Sequence, residues 1–155
     1  MRVTRVFSVL AVIAVIGVSC KDETISGIPA GLEVYTATLN GGNEAPTAVT
    51  TTATGTAIVT VLGNQVSWKV DVVTAIDSII LGHIHRRAAD SVAGNVRVDF
   101  APTPTGAGFT GTATVGSQAN VADSVIALMR AGRSYVNIHT KAHPGGEIRG
   151  TLVRQ

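Results

Sequence analysis

The sequence predicts an all-β fold, an antiparallel β-sandwich of about seven or eight short strands with one short helix over residues 120–131. Three observations carry that prediction. The body of the chain is rich in Thr, Val, Ala and Gly and poor in long helix formers. Several stretches alternate apolar and polar residues with period two. Gly, Asn and Pro separate those stretches at short intervals.

The first strand is expected over Glu33 to Leu39, followed by a turn-rich loop, Asn40-Gly41-Gly42-Asn43-Glu44-Ala45-Pro46. Thr54 to Leu62 comes next, with Ala57, Val59 and Val61 on one face and Ile58, Thr60 and Leu62 on the other. Gly63-Asn64 suits a two-residue hairpin turn. Gln65 to Val73 returns with Val66, Trp68, Val70 and Val72 on its core face. Ser78 to His85 places Ile79, Leu81, His83 and His85 on one face. After a polar loop, Asn95 to Phe100 turns Val96, Val98 and Phe100 inward, and Phe109 to Val115 is a strand of small residues. Asn120 can cap the helix, Asp123 falls in its first turn and Gly132 can end it. Its stripe, Val121, Val125, Leu128 and Met129, is read as packing on the sheet. Tyr135 to Thr140 and Glu147 to Val153 complete the set.

The N-terminus does not belong to this body. Arg2 and Arg5 precede a run from Val6 to Val18 that is apolar or small apart from Ser8. The run is short for a bilayer span and has the layout of a secretory leader. Gly17-Val18-Ser19-Cys20 resembles a bacterial lipobox, with Gly17 where a large aliphatic residue is usual. Residues 1–19 are thus expected to be a lipoprotein signal peptide, Cys20 the lipidated residue, residues 20–32 a flexible tether and residues 33–155 the folded domain. Lys21-Asp22-Glu23 resembles the export signal of surface lipoproteins. The expected place is the cell envelope, anchored to a bacterial outer membrane and facing the periplasm or the outside. Cys20 is the only cysteine, so no intramolecular disulfide is available. Without residues 1–19, ten basic residues balance ten acidic ones, and no basic surface fit for nucleic acid stands out.

All four histidines lie in or beside two strand-like stretches, Leu81-Gly82-His83-Ile84-His85 and Tyr135-Val136-Asn137-Ile138-His139-Thr140. Residues two apart share a strand face, so His83 and His85 project together, as do Tyr135, Asn137 and His139. If the strands are neighbours, three imidazoles converge. His83, His85 and His139 are then candidate ligands for copper or zinc, with His143 or Glu147 as a further ligand. The competing reading is a polar cluster that satisfies buried backbone groups. Glu44 is read as a side chain that stabilises its loop. No Ser-His-Asp order, phosphate-cradling glycine loop or catalytic carboxylate pair is found.

Several motifs are shared with a known family. They are Leu39-Asn40-Gly41-Gly42-Asn43-Glu44-Ala45-Pro46, Ala53-Thr54-Gly55-Thr56-Ala57, Gly82-His83-Ile84-His85, Gly94-Asn95-Val96, Gly132 to Thr140 and His143-Pro144-Gly145-Gly146-Glu147-Ile148-Arg149-Gly150. In this order they resemble the CHRD (chordin-type) domain over roughly residues 34–154, with Thr47 in place of a second proline. The resemblance implies an immunoglobulin-like, Greek-key β-sandwich or barrel and no particular reaction. Gly82-His83-Ile84-His85 is also similar to the His-x-His copper segment of Cu/Zn superoxide dismutase. The bridging histidine, the zinc loop and the disulfide of that enzyme have no counterpart, so dismutase catalysis is not expected. The reading that follows is a lipid-anchored, extracytoplasmic binding or interaction module without catalysis, with a protein or glycan partner. The alternative is a metal-binding protein built on the three histidines.

Overall fold

Alternation in the sequence becomes a meander at the start of the domain. Strands β1 (Glu33–Asn40), β2 (Thr54–Leu62) and β3 (Gln65–Val72) pair antiparallel in full register, Ala57 opposite Val70 and Val59 opposite Trp68. Gly63, at φ +61°, and Asn64 turn β2 into β3, as their sequence predicts. Ala57, Val59, Val61, Val66, Trp68, Val70 and Val72 enter the core, and Ile58 and Leu62 face outward. The computed structural model describes residues 29–73, 78–87, 93–100, 108–114 and 123–155. The expected leader, Cys20, most of the expected tether, Asn120 and Val121 lie outside them.

The remaining strands are β4 (Ile79–Arg86), β5 (Val96–Asp99), β6 (Gly108–Thr114), β7 (Ser134–Thr140), β8 (Ile148–Thr151) and β9 (Val153–Arg154). All pairings are antiparallel, in the order β5-β4-β7-β8-β1-β2-β3-β6, with β9 also on β1. The strands therefore form one continuous sheet that curls into a half-barrel around the core. Its two ends meet through side chains. Phe100 stacks on Trp68 of β3 with centroids 5.2 Å apart, and it packs on Phe109 of β6 at 5.6 Å. Gly82 makes room for this contact, since a Cβ there would meet Phe109 and Phe100 at 2.8 and 2.9 Å.

Two bulges modify the predicted alternation. Ile79 pairs with Thr140 but Leu81 with His139, so Ile80 is an extra residue in β4. Ile79 consequently turns to the core, and only Leu81 shares the histidine face. On β5, Ile84 pairs with Val98 but His85 with Val96, so Arg97 is extra. Val96, expected inside, is 42% exposed on the histidine side. The expected strand 147–153 is split. Residues 148–151 pair with β7, Leu152 drops into the core, and Val153–Arg154 pair with β1.

Helix α1 (Val125–Arg130) is shorter than the predicted span. Asp123 and Ser124 form a turn before it, and the Ser124 side chain makes no capping bond. Its end follows the prediction. Gly132 sits at φ +64°, Arg133 N–H donates to Leu128 C=O and Gly132 N–H to Met129 C=O, the Schellman pattern. Val125 and Met129 are buried against the sheet. Arg130 of α1 donates to Glu33 at the start of β1, with Nε–Oε1 2.9 Å, while Tyr35 donates to Glu33 Oε2 at 2.7 Å and Arg154 Nη2 lies 3.6 Å from the same oxygen.

Candidate metal centre

Strands β4 and β7 are neighbours, and their register decides what meets. His83 pairs with Asn137, His85 with Tyr135, and Leu81 with His139. Gly82 and Ile84 face the core, so His83 and His85 point to the outer face of the sheet, together with Tyr135, Asn137 and His139. That face is nevertheless closed: the three histidines are 7–9% exposed. The segment after β1 lies over it, with Asn43 Nδ2 donating to Arg149 C=O, Asn137 Nδ2 to Glu44 Oε2 at 3.3 Å, and Thr51 Oγ1 to Glu147.

The three rings converge. His83 Nδ1 and His139 Nε2 stand 3.1 Å apart. The ring centroids of His83 and His139 are 4.9 Å apart, and those of His85 and His139 5.8 Å. One ligand nitrogen from each of His83, His85 and His139 lies within 4.8 Å of the others, the only such group of three or more ligating residues among the described residues. For bonds of about 2.05 Å, a 3.1 Å separation subtends roughly 100° at a metal, between a square-planar and a tetrahedral angle.

Backbone carbonyls hold two of the rings from behind. His85 Nδ1 lies 2.8 Å from Gly94 C=O and His139 Nδ1 3.0 Å from Pro144 C=O. A carbonyl only accepts, so both Nδ1 atoms carry the proton and both Nε2 atoms present a lone pair. His85 Nε2 is buried with no hydrogen-bond partner in the structure. A histidine whose other nitrogen donates to a carbonyl is the arrangement that fixes metal ligands. Burial pushes all three imidazoles below their ordinary value, His83 down to about 4, where its histidine neighbours add to the effect and Asp99 opposes it. They are neutral at pH 7, the form that ligates.

Around them, Tyr135 stacks on His85 with centroids 5.0 Å apart and planes 6° off parallel, and the Arg149 guanidinium lies 3.5 Å from the Tyr135 centroid. Gly94 N–H donates to Tyr135 Oη at 3.3 Å, so one residue fixes both rings of the stack. A Cβ at Gly94 would collide with Arg86 C=O. Burial raises the Glu44 carboxyl to about 7, against the pull of Arg149 and the Asn137 hydrogen bond. Glu44 Oε1 and Asn137 Oδ1 have no hydrogen-bond partner in the structure, and both crowd Gly146. As an acid, Glu44 can donate through Oε1 to Asn137 Oδ1 while accepting from Nδ2, which satisfies both atoms.

The two further candidates do not join the three rings. Glu147 is buried, and its oxygens accept from Thr51 and Thr140, each at 2.7 Å. His143 stands in the turn after β7, with its backbone N–H on Thr140 Oγ1. Sequence reasoning did not find Gly94, Pro144 and Asp99 as partners of the rings. The first two act through backbone carbonyls, which leave no side-chain signal.

The CHRD domain model matches residues 35–152. The chain belongs to the CHRD-domain family. No curated protein and no solved structure matches it. In this CHRD domain, an extracellular-type module, the motifs scattered along the sequence meet at one place. Glu44, His83 and His85, Gly94, Asn137 and His139, and Pro144, Gly146 and Arg149 all border the same buried face.

Proposed function

We propose that this CHRD domain is a metal-binding module that takes copper or zinc through His83, His85 and His139, carried outside the cytoplasm on a lipid anchor at Cys20. The observation that supports it best is the pair of backbone-oriented rings. His85 and His139 each donate Nδ1–H to a carbonyl and each aim a lone pair into the space they share with His83. A hydrogen-bonded structural cluster explains the His83–His139 contact but leaves the buried His85 Nε2 without a partner. Three nitrogen ligands leave a coordination position for water or a small ligand. The module needs no reaction of its own, and it can hand its metal, or present its surface, to a protein or glycan partner in the cell envelope.

The test is metal content and affinity for Cu²⁺ and Zn²⁺ of the full chain, beside a His83→Ala, His85→Ala double variant and a His143→Ala control. One equivalent bound by the parent and the control, and lost in the double variant, is the expected result. A parent chain that binds neither metal would return the cluster to a structural role and turn attention to an interaction partner.

A further inference from the structure

The proton on His83 sits on the wrong nitrogen for a metal. His139 Nδ1–H donates to Pro144 C=O, so His139 Nε2 carries a lone pair, and the 3.1 Å contact requires His83 Nδ1 to be the donor. His83 Nε2 is then an acceptor. It faces Asp99 Oδ1, itself an acceptor, at 3.9 Å, outside hydrogen-bond distance. Asp99 is the residue directly across from His83 on β5. Its side chain is 37% exposed.

Resting on the metal reading above, we infer that metal binding moves the His83 proton from Nδ1 to Nε2 and that Asp99 then accepts it, making Asp99 the residue that positions the third ligand. The Nδ1 lone pair goes to the metal, the Nδ1–H···His139 bond is lost, and His139 Nε2 is freed as a ligand. The proton reappears on Nε2, exchanged through water, so His83 neither gains nor loses one overall. Each ring then has an acceptor behind it: Gly94 C=O for His85, Pro144 C=O for His139 and the Asp99 carboxylate for His83. The carboxylate also supplies negative charge beside a cation that three neutral rings do not neutralise, where Arg149 already carries positive charge.

The test uses the full chain in detergent micelles with ¹⁵N-labelled histidine, titrated with Zn²⁺, in parent and Asp99→Asn forms. Without zinc, the His83 ring is expected to show a protonated Nδ1; with zinc, a coordinated Nδ1 and a protonated Nε2. Asp99→Asn is expected to weaken zinc binding by about 10- to 100-fold. Zinc bound to the parent through His83 Nε2, or held equally well by Asp99→Asn, would overturn the inference and leave the metal reading standing. A parent chain that binds no zinc would overturn both. The ring assignments in the parent chain decide the question even if the variant folds poorly.

Discussion

A buried acid and the buried imidazoles pull stability in opposite directions with pH. Glu44 in the fold holds its proton up to about 7, above the ordinary carboxylate value of 4.5. Its contribution is fully present below pH 4.5 and is lost as pH rises through 7, because in that window the native state binds more protons than the unfolded chain. Glu44→Gln, which has the shape of the protonated acid, is therefore expected to be more stable than the parent at pH 8 and close to it at pH 4. The ceiling on the gain is about 3 kcal/mol, from 1.4 kcal/mol per pKa unit. Urea unfolding of both proteins at the two pH values checks this, and a parent as stable at pH 8 as the variant would show Glu44 to be ionised at no cost. At this scale the histidines were legible in the sequence. His-x-His spacing on a strand and a third histidine on a like strand were enough to name the three rings. Glu44 was legible only as a loop residue, because its amide partner Asn137 lies 93 positions away.

Among elements, the junction at Glu33 ties α1 and β9 to the start of β1. The bonds from Arg130 and Tyr35 outweigh the cost of burial and hold the Glu33 carboxyl down to about 2. A depressed carboxylate contributes stability that is present above its ordinary value of 4.5 and lost as pH falls through 2. Glu33→Gln is expected to lower stability at pH 7 by about 1–3 kcal/mol and to flatten the acid limb of the stability curve between pH 4.5 and 2. Chemical denaturation across that range is the measurement, and an unchanged acid limb would rule the junction out as its source. Element positions were read from alternation and turn residues, and β1, β2 and β3 agree within a residue. The two bulges were not legible. Inserting Ile80 or Arg97 changes which face the next residue takes, but a bulge is a backbone event with no required side chain here. Hence Ile79 and Val96 took the faces opposite to those the alternation predicts.

For the molecule as a whole, the fold class was legible in the residues and the closure was not. Its strands form one curled sheet, and no backbone ladder joins β5 to β6 among the described residues. Trp68, Phe100 and Phe109 close that seam instead. Phe100→Ala is expected to cost about 3–5 kcal/mol, the range for truncating a buried phenylalanine. Amide hydrogen exchange in β5 and β6 should accelerate more than in β1 and β2. Uniform acceleration across the sheet would mean that the seam opens only with global unfolding.

The direction of β1 carries a consequence for how the domain is presented. The chain enters β1 at Glu33, where Gln155 N–H also bonds back to Val34 C=O, so the two ends of the domain lie at one pole. Asn40, beside Arg149, lies at the other end of the strand, about 23 Å away at 3.3 Å per residue. Attached to a membrane through Cys20, as proposed, the domain would stand with its histidine pole outermost. It would meet soluble copper or zinc, or a partner protein, before the rest of the module does.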